Sequence, residues 1–91
     1  MLVRVHVFVT GRVQGVGFRA FACRKAAQHG LTGWVKNVPD GQVESEAQGV
    51  REDVDRFLTD LTQGPAFSSV DQVEVDWIEA LDSEDAFHVV Y

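Results

Sequence analysis

The chain has few means of stapling itself, of anchoring in a membrane or of gathering a metal. Its 91 residues include one cysteine (Cys23), two prolines, one asparagine (Asn37) and three histidines. A lone thiol excludes an internal disulfide and any zinc site built from several cysteines. His6, His29 and His88 share no metal-ligand spacing, and neither a metal nor another cofactor is expected. No apolar run approaches the roughly 20 residues that cross a bilayer as a helix. The stretch Met1-Leu2-Val3-Arg4-Val5-His6 alternates like a strand and lacks the basic and then apolar regions of a secretory signal. The chain is therefore expected to be cytoplasmic, with no membrane partner.

Acids are missing from the first 39 positions. All 14 aspartates and glutamates lie at Asp40 or later, whereas six of the eight lysines and arginines lie at or before Lys36. Six basic residues and no acid give residues 1–39 a charge of +6; two basic residues against 14 acids give residues 40–91 a charge of −12. The net charge of −6 argues against nonspecific binding to nucleic acid or to an anionic membrane. The basic leading segment still admits a local site for a small anion. Its competitor is a solvated surface on which the two halves mix their charges in space.

A chain of this length with 45% hydrophobic content suits one core, so a single domain over residues 1–91 is expected, as a monomer. Val3, Val5, Val7 and Val9 alternate with Arg4, His6 and Phe8, the period of a strand, and Gly11 to Gly17 breaks that pattern. Phe18 to His29 reads as a helix with Phe18, Phe21, Ala22 and Ala26 on one face and Gly30 as its stop. Leu31 to Asn37 reads as a second strand, Val38-Pro39-Asp40-Gly41 as a tight turn, and Gln42 to Gln48 as the hairpin partner. Val50, Val54, Phe57, Leu58 and Leu61 mark a second amphipathic helix that ends at Gly64-Pro65. Val70 to Ala80 reads as a fourth strand and Phe87 to Tyr91 as a short fifth. The order βαββαβ plus a strand predicts an α+β fold of the ferredoxin-like kind, a mostly antiparallel sheet with two helices on one face.

That topology has a chemical consequence. Strands one and two, joined by a helix, run parallel and end at the same edge of the sheet. The loop Gly11-Arg12-Val13-Gln14-Gly15-Val16-Gly17-Phe18-Arg19 leaves the first end, and Asn37 sits at the second. With one strand between them, the ends lie about 10 Å apart. Glycines in a strand-to-helix turn let successive N–H groups face one concavity, and the helix adds its positive end, which suits phosphate. Arg19 would set a planar cationic fork over the same spot. Asn37 could accept a hydrogen bond from water while donating one to phosphate. Two familiar patterns are excluded: a dinucleotide fold needs a longer chain and a following acid, and an ATP loop needs a Gly-Lys-Ser/Thr ending.

The same nine residues resemble the first signature of the acylphosphatases. Gly33-Trp34-Val35-Lys36-Asn37-Val38-Pro39-Asp40-Gly41-Gln42-Val43, continuing to Gly49, resembles the second. The resemblance extends to Phe87–Tyr91 and departs at Val90, where family members often carry a basic residue. It implies a metal-independent hydrolase that splits a small acyl phosphate into a carboxylate and inorganic phosphate. It also implies phosphate binding by Gln14, Gly15, Val16, Gly17 and Phe18, with Arg19 as the phosphate-binding arginine and Asn37 as the residue orienting water. No histidine or carboxylate base is evident near the loop, so the water proton is expected to pass to the substrate's own phosphate. A carboxylate leaves readily, and the reaction then rests on positioning and charge.

The rival class is a non-enzymatic ferredoxin-like module that binds an anion or a partner. Its RNA-binding form needs a basic sheet face with exposed aromatics, whereas Glu44, Glu46, Glu74 and Asp76 occupy the outward strand positions. A middle reading places an acylphosphatase-like domain within a larger maturation assembly; a chain that closes soon after its last strand favours a free-standing enzyme. Cys23, Trp34 and Trp77 are expected to be packing residues, and the acidic second helix a solvated one.

Overall fold

Val5, Val7 and Val9 are fully buried, while the residues between them turn to the opposite side, so the valine alternation builds β1 (Leu2–Arg12). A computed structural model describes all 91 residues. After β1 come α1 (Phe18–Gln28), β2 (Thr32–Asn37), β3 (Val43–Val50), α2 (Arg51–Gln63), β4 (Ser69–Ile78) and β5 (Phe87–Val89). The strands form one sheet in the order β4-β1-β3-β2-β5. β3 is antiparallel to both β1 and β2, which are therefore parallel to each other with β3 between them. β4 adds antiparallel to β1, and β5 adds parallel to β2.

Both helices cover one face. Phe18, Phe21, Ala22 and Ala26 of α1 and Val54, Phe57 and Leu61 of α2 close over Val5, Val7, Val9, Val35, Val43 and Ala47 of the sheet. Each fully buried valine or phenylalanine side chain contributes about 1.5–3 kcal/mol, so this layer carries most of the fold. The βαββαβ order and the ferredoxin-like α+β architecture are as the pattern predicts.

Several boundaries differ from the sequence expectation. β1 does not stop before the glycines. It continues to Arg12 because β4 offers partners to Gly11 and Arg12, with a register shift between Thr10 and Gly11. α1 ends at Gln28, and His29 caps it, its N–H donating to the Lys25 carbonyl. Val50 lies outside the apolar stripe of α2: it is the residue before the helix and is 46% exposed. Trp77 is likewise no core residue; it is exposed and carries the Arg51 guanidinium 4.1 Å above its ring.

The two charge halves of the sequence do mix in space, because β1 and β2 flank β3. Arg4 pairs with Glu46 and Glu84, His6 and Lys36 with Glu44, and His29 with Asp60. Four basic residues of the leading segment stay without an acidic partner: Arg12, Arg19, Arg24 and Lys25.

Candidate active site

A cavity of about 200 Å³ opens where β1 and β2 end, and it is lined by Val13, Gly15, Gly17, Phe18, Arg19, Ala20, Asn37, Val89 and Tyr91. The connection from β1 to α1 forms its floor. Gly15 (φ 74°) and Gly17 (φ 77°) both hold left-handed backbone, a conformation that costs other residues about 1–2 kcal/mol. A side chain at either position would meet no atom within 4 Å. The glycines are thus required by backbone shape, and the space above them is open.

Gly17 is also the residue that caps α1, and it supplies no side-chain hydrogen bond to the helix. The first turn contains no acid. None of the N–H groups of Gly15 through Ala20 donates a well-formed hydrogen bond within the protein. The positive end of α1 therefore meets the cavity uncompensated, which is the arrangement that attracts an oxyanion.

Arg19 stands in that first turn. Its guanidinium makes no ion pair and no hydrogen bond, and it rests 4.9 Å from the centre of the Tyr91 ring. Its five donors are free for a ligand. Across the cavity, Asn37 ends β2, opposite Val43 at the start of β3. Its Oδ1 is closed off from solvent and has no hydrogen-bond partner, alone among the buried side-chain polar atoms of the chain. An orphaned buried acceptor costs about 1–3 kcal/mol.

The residues expected at the site separate into three groups. Gly15, Gly17, Phe18, Arg19 and Asn37 come together around the cavity. The Phe18 side chain belongs to the core and is 2% exposed, so its share in the site is its backbone N–H. Gln14 and Val16 do not line the cavity. Val16 packs against the core. The Gln14 amide Nε2 donates to the carbonyls of Val38 (2.7 Å) and Gln42 (2.9 Å) and so ties the loop to the turn that follows Asn37. Sequence reasoning missed Val13, Ala20, Val89 and Tyr91 as walls of the site. Val13 and Ala20 flank or overlap the loop motif and were within reach of it. Val89 and Tyr91 arrive only because β5 pairs parallel with β2.

Cys23 and Arg4, elsewhere in the fold, are shifted by their surroundings. Burial pushes the Cys23 thiol above its usual value, which suits a packing residue. Burial opposes the charge on Arg4, but hydrogen bonds and charges from Glu84 and Glu46 more than offset it and hold its pKa above the ordinary value. No group of three or more His, Cys, Asp or Glu side chains is gathered as metal ligands are.

Comparison with known proteins identifies the family and the fold. The family model described as Acylphosphatase matches residues 5–89. The acylphosphatase of Thermus thermophilus is 49% identical over 86 residues, covering 94% of this chain and 97% of the relative. That of Chloroflexus aurantiacus is 42% identical over 90 residues, covering 99% and 98%. The crystal structure of acylphosphatase from Bacillus subtilis superposes with a TM-score of 0.94 at 40% identity and full coverage of both chains. Full-length HypF contains a similar unit: 26% identity, TM-score 0.88, with 100% of this chain matching 12% of that one. The fold and its relatives define a small α+β hydrolase, with a cavity at the sheet edge where β1 and β2 end. The chain belongs to the acylphosphatase family, and its reaction is the hydrolysis of acyl phosphates.

Proposed function

We propose that the loop amides from Gly15 to Phe18, together with Arg19, hold the phosphoryl group of a small acyl phosphate, and that Asn37 places the attacking water. The observation that carries this reading is that an arginine without an acid and an asparagine whose amide oxygen has no donor line one cavity, at a helix start that has neither an acid nor a side-chain cap. A phosphoryl group develops charge on its equatorial oxygens during transfer, and fixed N–H donors and a guanidinium stabilise that charge without reorganising.

In the reaction, the water oxygen bonds to phosphorus as the bond from phosphorus to the acyl oxygen breaks. The carboxylate departs with its electron pair. One water proton is held by Asn37 Oδ1, which a turn of the amide about its soft terminal torsion brings into the cavity. The other passes to a phosphoryl oxygen, so no separate base is needed. Gln14 acts at one remove, by fixing the distance between the loop and the turn behind Asn37.

The test is turnover of benzoyl phosphate in the presence of a chelator. Wild type is expected to turn over. Arg19→Ala is expected to lose on the order of 10³-fold in kcat/KM and Asn37→Ala about 10²-fold, each with an unchanged circular dichroism spectrum. Inorganic phosphate is expected to inhibit competitively, and weakly in Arg19→Ala. An Asn37→Ala protein at full rate, or an inhibition constant unmoved by Arg19→Ala, contradicts the assignment.

A further inference from the structure

At the end of the sheet opposite the cavity lies a second polar cluster that the reaction does not use. Arg4, on the face away from the helices, is 1% exposed. Its Nε donates to Glu46 at 2.7 Å, and its two terminal nitrogens donate to Glu84 at 2.8 and 3.3 Å. Beside it Gln48 uses both ends of its amide on one residue: Nε2 donates to the Leu81 carbonyl at 3.0 Å, and Oε1 accepts from the Leu81 N–H at 2.8 Å. Glu84 and Leu81 both belong to residues 79–86, the connection between β4 and β5.

The sheet order explains why that connection needs anchors. β4 and β5 are the two outer strands, so residues 79–86 must cross the full width of the sheet. The register gives the route. Arg4 stands opposite Ile78 at the end of β4 and opposite Gln48 on β3; Gln48 stands opposite Thr32; and Gly33 pairs with Phe87 at the start of β5. Arg4 and Gln48 therefore grip the crossover midway. Beyond them the Gly33 N–H donates to the Ala86 carbonyl at 3.1 Å, and the Val90 N–H to the Val35 carbonyl at 2.8 Å. β5 itself is three residues long, at the short end of the range for strands in folded proteins. Yet its far end brings Val89 and Tyr91 to the cavity, with the Tyr91 ring beneath Arg19.

We propose that the Arg4–Glu84 and Gln48–Leu81 anchors are positioning residues for phosphate binding: they fix the crossover, the crossover sets β5, and β5 holds Tyr91 under Arg19. This rests on the reading of Arg19 as the phosphate ligand. The effect belongs to binding rather than to the chemical step, because neither anchor comes near the reacting atoms.

The experiment measures inorganic phosphate binding by calorimetry, and KM and kcat for benzoyl phosphate, in Glu84→Ala, Gln48→Ala, Tyr91→Ala and the double variant Glu84→Ala/Tyr91→Ala. All are measured at a temperature where each is fully folded. A cation–π contact at an exposed site corresponds to a change of about three-fold in affinity. Each single variant is expected to weaken phosphate binding and raise KM by about that factor, with kcat moved less than two-fold and faster amide exchange at Val90. The double variant is expected to bind no worse than Tyr91→Ala alone, as two changes acting through one contact do not add. Glu84→Gln keeps an acceptor for Arg4 and should restore most of the affinity; it also serves if Glu84→Ala does not fold. Phosphate affinity equal to wild type in Glu84→Ala and Gln48→Ala overturns the proposal, as does an additive double variant. A wild type that does not bind phosphate, or an Arg19→Ala protein that binds it fully, overturns the site reading instead.

Discussion

Arg4 and Arg19 carry the same guanidinium into opposite surroundings. Arg4 is enclosed and meets two carboxylates and an amide oxygen, so its donors are spent within the fold. Arg19 is half-buried, has no acid, and leans only on an aromatic ring. The two helix starts repeat the contrast. α2 opens with Glu52 and Asp53 in its first turn, and its dipole is answered by its own side chains. α1 opens with Gly17 and no acid, and its dipole is left for something else. Around Arg4 and at the start of α2 the charges are answered within the fold. Around Arg19 and at the start of α1 they are not, and there the cavity opens.

The sharpest way to break that comparison is to remove each arginine and measure stability. Arg4→Ala is expected to cost about 3 kcal/mol, because it strands two carboxylates that were folded around it; Arg19→Ala is expected to stay within about 0.5 kcal/mol of wild type. Urea unfolding of both, with no phosphate present, decides it. Equal losses would mean that Arg19 too is a structural residue.

Next in size is Gly17→Ala. The open space above Gly17 leaves backbone strain as the whole penalty, about 1–2 kcal/mol, and the new methyl group would intrude on the cradle. Thermal unfolding and phosphate inhibition should both weaken. Unchanged inhibition would move the anion away from this loop.

Gln14→Ala removes two hydrogen bonds between loop and turn, and about 1 kcal/mol is expected from stability. As the strap sets the spacing of Arg19 and Asn37, kcat/KM should fall by about ten-fold. Loss of stability with full activity would show that the strap does no positioning.

The smallest effect is one of pH. The hydrogen bond from Arg4, helped by Thr32 and by the Arg4 charge, outweighs burial and holds Glu84 below the ordinary carboxylate value of 4.5. A lowered pKa in the fold means that the unfolded chain takes up the proton first. The stabilisation is therefore present above pH 4.5 and is lost as pH falls through the folded value. The stability gap between wild type and Glu84→Gln should narrow below about pH 4.5. A gap that stays constant from pH 7 to pH 3 would mean that the pair contributes nothing through charge.

Much of this was legible in the residues because the signals are local. The valine alternation of β1, the apolar face at Phe18, Phe21, Ala22 and Ala26, and the glycines before α1 each act within one or two turns of chain. The strand–helix–strand order places Arg19 and Asn37 at one sheet edge, because two strands joined by a helix run parallel. What was misread depended on partners far along the chain. Nothing around Gly11 announces that β4 will extend β1 past it. Trp77 has the composition of a core residue and lies exposed at the end of an outer strand. Not legible either was the second use of Gln14, whose side-chain amide donates to the carbonyls of Val38 and Gln42, more than 20 positions away.

The sequence by itself determined the element order, the helix stripe that closes the core, and the bare start of α1, because hydrophobic period, glycine and the placing of acids along the chain are properties of neighbours. Tertiary structure alone decided which positive charges remained free. Six basic residues precede the first acid, and nothing in their order separates Arg4 from Arg19. The sheet does so: it lays β3 with Glu46 beside β1, and it draws the crossover with Glu84 over Arg4. At the other end the same sheet brings up Asn37, Val89 and Tyr91, and none of their side chains is a carboxylate that could pair with Arg19.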